Sequence, residues 1–173
     1  DFNVETGLGR LITLEADQIR IAAHNGVGDI NMPIYFKAGV IEAQTEGAAG
    51  IYLVALNDAT IGNIQFDDIG LTTAGLRTSA GGNIHLVNLA GVLTVNEEIQ
   101  ANGGRVVITT QGIDINAMIS SSRVVGDQTF RGSLVLQPLS VSTRIDMATD
   151  APTGALSFHL SADEIDFFMA GFN

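Results

Sequence analysis

Apolar and polar residues alternate along this chain in short bursts, and glycine separates one burst from the next. Between Gly81 and Ser120 the same order occurs twice: a Gly-Gly pair, an alternating strand, a turn containing glycine, a second alternating strand and a short third apolar spot. The inward positions of the first copy are Ile84 and Leu86, Leu93 and Val95, then Ile99; those of the second are Val106 and Ile108, Ile113 and Ile115, then Ile119. From Gly82 to Gly104 is 22 positions (104 − 82), while Leu93 to Ile113 and Ile99 to Ile119 are each 20. Period-two runs of this length predict strands, and their return at a fixed interval predicts stacked coils of a parallel β-solenoid.

The same reading extends outward from this centre. Gly9 to Leu14 and Ile19-Arg20-Ile21 are the first two strands, broken at Ala16 to Gln18. Gly26 to Asp29 is a turn, and Ile30, Met32 and Ile34 follow at period two. Val40-Ile41, Ile51 to Val54, Ile61 and Ile64 to Phe66 continue the pattern, with Gly28 to Gly50 again 22 positions (50 − 28). Gly50 to Gly82 is 32, which predicts an enlarged coil with a loop within Asn57 to Ala74. Gly104 to Gly132 is 28, and the excess falls on a polar protrusion from Ser120 to Gln128. After Gly132 the expected inward positions are Leu134, Leu136, Ile145, Met147, Leu156, Phe158 and Leu160. Ile165, Phe168 and Met169 then change to helical spacing, and Ser161 stands three residues before Glu164 as a capping box requires, so a short helix is expected near the C-terminus.

Stacking explains why such strands fold. One short strand leaves its backbone groups unpaired and half its side chains wet, whereas coils stacked about 4.8 Å apart pair the backbone above and below and align the inward aliphatics. Each buried aliphatic contributes about 1.5 to 3 kcal/mol before entropy is subtracted. An antiparallel sandwich also shows short strands and glycine turns, but the recurring interval of 22 favours the solenoid. The expected fold is therefore all-β, a parallel β-helix with coils of about 20–22 residues, over a single domain spanning residues 1–173.

Composition narrows the partners. Of the 173 residues 46% are hydrophobic, enough for a core, and 19 acidic against 8 basic residues give a net charge of −11. That charge disfavours nucleic acid and anionic membrane surfaces. Cysteine is absent, which removes disulfides and thiolate chemistry. No apolar run is long enough to span a bilayer. The chain begins at Asp1 without methionine, which points to a processed product or an internal piece of something longer.

No catalytic motif stands out. His85 and His159 sit between inward residues and so face outward, and neither they nor His24 have HxH or HExxH partners. The acidic clusters Asp67-Asp68, Glu97-Glu98 and Asp163-Glu164-Asp166 read as solvated turns, with weak Ca²⁺ binding as the minority expectation, and no cofactor is expected. Basic residues are scattered singly, without the partner set that a polysaccharide lyase or hydrolase needs beside its carboxylates. Thr72-Thr73 and Thr109-Thr110 do not continue into the coil from Gly132, where Gln137-Pro138 stand, so no threonine face forms. Candidate partner-contact residues lie in the departures from the repeat: Asp67 and Asp68 in the enlarged coil, and Ser121, Ser122, Arg123 and Asp127 in the protrusion.

Segments such as GGNIHL, GVLTVN, IQANGGRVVIT and GIDINAMISS resemble the repeats of large bacterial surface and secreted adhesins of the filamentous haemagglutinin type. The portion from Gly132 to Pro138, with Leu160 to Ile165 and Ala170 to Phe172, is similar to a segment that recurs in such proteins. The resemblance covers about residues 60 to 172 and implies a right-handed β-helix outside a bacterial cell, acting as a non-enzymatic stalk or adhesive surface. Implied partners are further coils or subunits stacked end to end, and a host or neighbouring-cell surface protein or glycan. A carbohydrate-active β-helix enzyme and a self-assembling extracellular fibre subunit are the alternatives.

Overall fold

A computed structural model describes residues 13–65, 74–141, 143–147 and 157–172. The strands are β1 (Thr13–Glu15), β2 (Gln18–Ala23), β3 (Gly26–Val27), β4 (Ile34–Lys37), β5 (Val40–Thr45), β6 (Gly50–Ala55) and β7 (Ala59–Ile61). They continue as β8 (Leu76–Thr78), β9 (Ile84–Asn88), β10 (Val92–Val95), β11 (Ile99–Gln100), β12 (Arg105–Thr110), β13 (Gly112–Ile115) and β14 (Ile119–Ser120). A hairpin of β15 (Ser122–Val125) and β16 (Gln128–Arg131) precedes β17 (Ser133–Pro138), β18 (Arg144–Met147), β19 (Ser157–Leu160) and helix α1 (Ala162–Phe172).

The chain passes back and forth between two parallel sheets, and from β7 onward it lays two consecutive strands in the second sheet (β7 and β8, β10 and β11, β13 and β14) for each one in the first. One is seven-stranded in the order β1-β4-β6-β9-β12-β17, with β3 beside β6; the other is eight-stranded in the order β13-β10-β7-β5-β8-β11-β14, with β2 beside β5. A parallel pair needs a crossover connection, and here strands of the other sheet supply it: β7 and β8 lie between β6 and β9, and β10 and β11 between β9 and β12. The fold is all-β, dominated by parallel sheets, with α1 at its C-terminal side.

Register follows the intervals read from the sequence. Val106 pairs with Ile84 and Ile113 with Leu93, so the repeated segments lie side by side. Ile84, Leu86, Leu93, Val95, Ile99, Val106, Ile108, Ile113, Ile115 and Ile119 are all buried. Their side chains point inward because period two turns every second residue of a strand to one face. Leu134 and Leu136 are partly buried against this core, and Phe158 and Leu160 are buried in it. The side chains of Ile145, Met147 and Leu156 lie outside the description, as do residues 9–12 of the expected first strand.

Glycines stack where the chain turns into the first sheet. A Cβ added at Gly82 would stand 2.7 Å from the Gly50 nitrogen, and Gly104 and Gly132 meet the backbone of the preceding coil in the same way. Only a residue without a side chain allows backbones to approach so closely.

One expectation changes. Ile30 and Met32 are 62% and 70% exposed and belong to no strand. The Asp29 carboxylate accepts the amides of Asn31 (2.7 Å) and Met32 (3.0 Å), closing a local turn that lifts these residues off the sheet. The described strands bracket the expected loop: β7 ends at Ile61 and β8 begins at Leu76. The C-terminal helix is as placed, and longer, with the Glu164 amide 3.2 Å from Ser161 Oγ and Glu164 Oε2 2.7 Å from the Ser161 amide.

Candidate functional site

The predicted contact residues separate in the structure. Asp67 and Asp68 lie outside the described residues. Ser122 and Arg123 are exposed on β15, and Asp127 is exposed at the tip of the hairpin. Ser121 is not at the surface: it is fully buried, its hydroxyl donates to the Gly104 carbonyl, and its own carbonyl accepts the amides of Gly103 (2.9 Å) and Gly132 (3.0 Å). The reason is register. Ile99 pairs with Ile119 and Gln100 with Ser120, so Ser121 occupies the rung above buried Ala101.

The hairpin thus starts at Ser122. Val125 pairs with Gln128 across a two-residue turn in which Gly126 has φ 61°. Glycine at the first central position fits a type II′ turn, whose twist matches that of the strands it joins. Every residue of β15 and β16 is exposed, including Val124, Val125 and Phe130. The hairpin leans on the corner at Gly103, where an added Cβ would meet those of Phe130 (3.5 Å) and Arg123 (3.8 Å).

A second feature sits at the neck of the enlarged coil. The strand β5 pairs with β7 through Val40 and Ile41 and with β8 from Ala43 onward, so Glu42 lies where the partner chain leaves and returns. The Glu42 side chain is 2% exposed and that of Arg20 is 9% exposed. Arg20 Nη2 donates to Glu42 Oε2 (3.0 Å) and to the Ile64 carbonyl (2.6 Å), and the Ile64 amide donates to the same carboxylate oxygen (3.1 Å). Sequence reading took Arg20 for one scattered cation and passed over Glu42. The usable signal was their separation of 22 (42 − 20), one coil interval.

A third feature is a groove of about 660 Å³ between the second sheet and α1, lined by Asp114 and Asn116 of the sheet side and Asp163, Asp166 and Phe167 of the helix. Glu164 borders it with both oxygens engaged, one by Ser161 and the other by the Ile115 amide at 3.0 Å. Among the described residues no three His, Cys, Asp or Glu side chains are grouped to hold a metal ion.

The histidines differ. His24 is exposed beside Glu46 at 2.8 Å. His85 is half-buried on the outer side of β9, edge-on to Tyr52 with ring centroids 6.2 Å apart. Burial lowers its pKa below the usual imidazole value, and the nearby Arg105 charge adds to the effect. His159 is half-buried between Phe158 and Leu160.

No helix among the described residues is long and apolar enough to cross a membrane. No protein-family model, curated protein or solved structure matches the chain.

Proposed function

We propose that the chain is a segment of a right-handed parallel β-helix that works as a non-enzymatic structural or adhesive part of a bacterial extracellular protein. The reading keeps the adhesin resemblance of its repeats. The observation that carries it is the contrast between a monotonous interior and an irregular exterior. Inward aliphatics align rung on rung at intervals of 20 and 22, as in Leu93 with Ile113 and Ile84 with Val106. The extra residues between Ser121 and Gly132 instead form an exposed hairpin. Such a division of labour suits a rigid rod that presents contact loops. Retention of cells or of a glycan array by the immobilised chain tests the adhesive part. Loss of retention when residues 122–131 are replaced by a short glycine turn supports it, and retention unchanged by that replacement assigns adhesion elsewhere or removes it.

The acidic groove favours a second reading, a carbohydrate-active enzyme, because Asp114 faces Asp163 and Asp166 across it and paired carboxylates are what glycosidases use. Among the described residues no arginine, lysine or histidine lines that groove, which speaks against a lyase base within it. New reducing ends or unsaturated products from a polysaccharide panel, lost in Asp114→Asn, would replace the structural reading with the enzymatic one.

A further inference from the structure

Three arginines gather at one corner of a chain that is otherwise acidic. Arg105 opens β12 and lies in register with Ser133, two residues after Arg131. Gly103, two residues before Arg105, is the residue on which Arg123 and Phe130 lean. All three arginines are exposed. Among the described residues the ion pairs are Arg20 with Glu42 and His24 with Glu46, and the three belong to neither. Arg123 pairs across the hairpin with Phe130 and shares its face, whereas Arg131 pairs with Ser122, one residue on, and takes the opposite face. The base of the hairpin therefore carries a cation on each face, Arg123 on the one that rests at Gly103 and Arg131 on the other, with Val124 and Phe130 exposed and Asp127 at the tip.

The complement of this finger is present in the same chain. The groove between β13 and α1 has carboxylates on both walls, Asp114 on one and Asp163 and Asp166 on the other, with exposed Phe167 at its side. We infer that the occupant of the groove is the hairpin of a second copy of this chain, laid lengthwise so that Arg123 and Arg131 meet opposite walls and the apolar side chains meet Phe167. Charge complementarity argues for this partner: the arginines of the hairpin and the carboxylates on both walls of the groove are exposed in one sequence. The contact is made by side chains and differs from edge-to-edge pairing of strands. It stands apart from the adhesive reading, which a monomer satisfies equally well.

The two copies also repel one another as wholes, and that gives the association a signature in salt. Long-range repulsion is screened first and the short-range arginine–carboxylate contacts only later, so association rises and then falls as ionic strength goes from about 0.02 through 0.15 to 1 M. Sedimentation equilibrium of the full chain, from about 1 to 500 µM, reads this directly. The expected result is a mass above 18.1 kDa at intermediate salt, with the dissociation constant raised at least about tenfold in Arg123→Glu/Arg131→Glu. Mixing that variant with Asp114→Lys/Asp166→Lys should restore association that neither shows alone. All four positions are exposed, and circular dichroism confirms that the variants fold. A monomer under every condition overturns the proposal, as does wild-type association by the arginine variant, a mixture that stays monomeric, or association that grows steadily with salt.

Discussion

Glu42 is the residue whose burial is least forgiving. A carboxylate removed from water is costly unless a counter-charge and hydrogen bonds replace its hydration. Here Arg20 and the Ile64 amide do so, at 3.0 and 3.1 Å, and in doing so they tie the enlarged coil to β5 where ladder pairing lapses. Glu42→Ala leaves Arg20 buried without this partner, so urea unfolding should show about 3 to 5 kcal/mol lost, and a loss under 1 kcal/mol would count against the account. The pair belongs to a rule that alternation alone does not reveal: polar side chains bond across coils at the repeat interval. His24 with Glu46, Asn88 with Thr110, and Ser120 with Glu98 are each 22 apart, and Asn96 with Asn116 is 20. Aliphatic positions were legible because period two and glycine spacing define them, whereas Ser121 was misplaced because a hydroxyl looks solvated until register puts it beneath Gly132. His85 supplies a test in pH. Its folded pKa lies below the unfolded value near 6.5, so the unfolded chain binds the proton first. Its contribution is full above that value and is lost as pH falls from it toward the folded pKa. His85→Gln should flatten this part of the stability–pH curve, measured by urea melts between about pH 7 and 5. An unchanged slope would show that other groups set it.

At the scale of elements, α1 closes the second sheet. The outer edge of β13 would present unpaired amides, the usual invitation to a further strand. Glu164 accepts the Ile115 amide at 3.0 Å while completing the capping box with Ser161, and Ile165, Phe168 and Phe172 pack against the core. Glu164→Ala therefore removes a cap and leaves a half-buried amide unsatisfied, with an expected loss of about 2 to 4 kcal/mol. Ser161→Ala removes only its hydroxyl contact to the helix and should lose about 1 kcal/mol. Equal losses in thermal or urea melts would mean that the Ile115 bond contributes nothing. The box itself was legible as a serine three residues before a glutamate. Its second task was not, because Ile115 is 49 positions away and no local pattern joins them. The loop at Ile30 and Met32 shows the opposite failure. Its alternation is as regular as that of a strand, yet Val27 pairs with Ile51 and Ile34 with Leu53, so the six residues between them stand opposite Tyr52 alone. An Asx turn at Asp29 overrode the period.

At the scale of the whole molecule, most described strands of the two large sheets pair with one strand on either side. Protection from exchange should follow the number of paired neighbours and the burial of the strand. The strands β9 and β12 are paired on both sides and carry fully buried Ile84, Leu86, Val106 and Ile108. Among the described residues β1 has β4 as its neighbour, and β15 and β16 pair only with each other. Native-state hydrogen exchange should therefore show three tiers: slowest amides in β9 and β12, intermediate in β1 and β2, and fastest in the hairpin, whose isolated pair is marginal in water. Ile108→Ala, with an expected cost of about 2 to 5 kcal/mol, should speed exchange in β9, β12 and β17 together while leaving the hairpin rate unchanged. Hairpin amides as slow as those of β12 in dilute wild-type protein would show that the finger is held by more than its own pair. Slowing of the hairpin alone as protein concentration rises would instead be the mark of its docking onto a second copy.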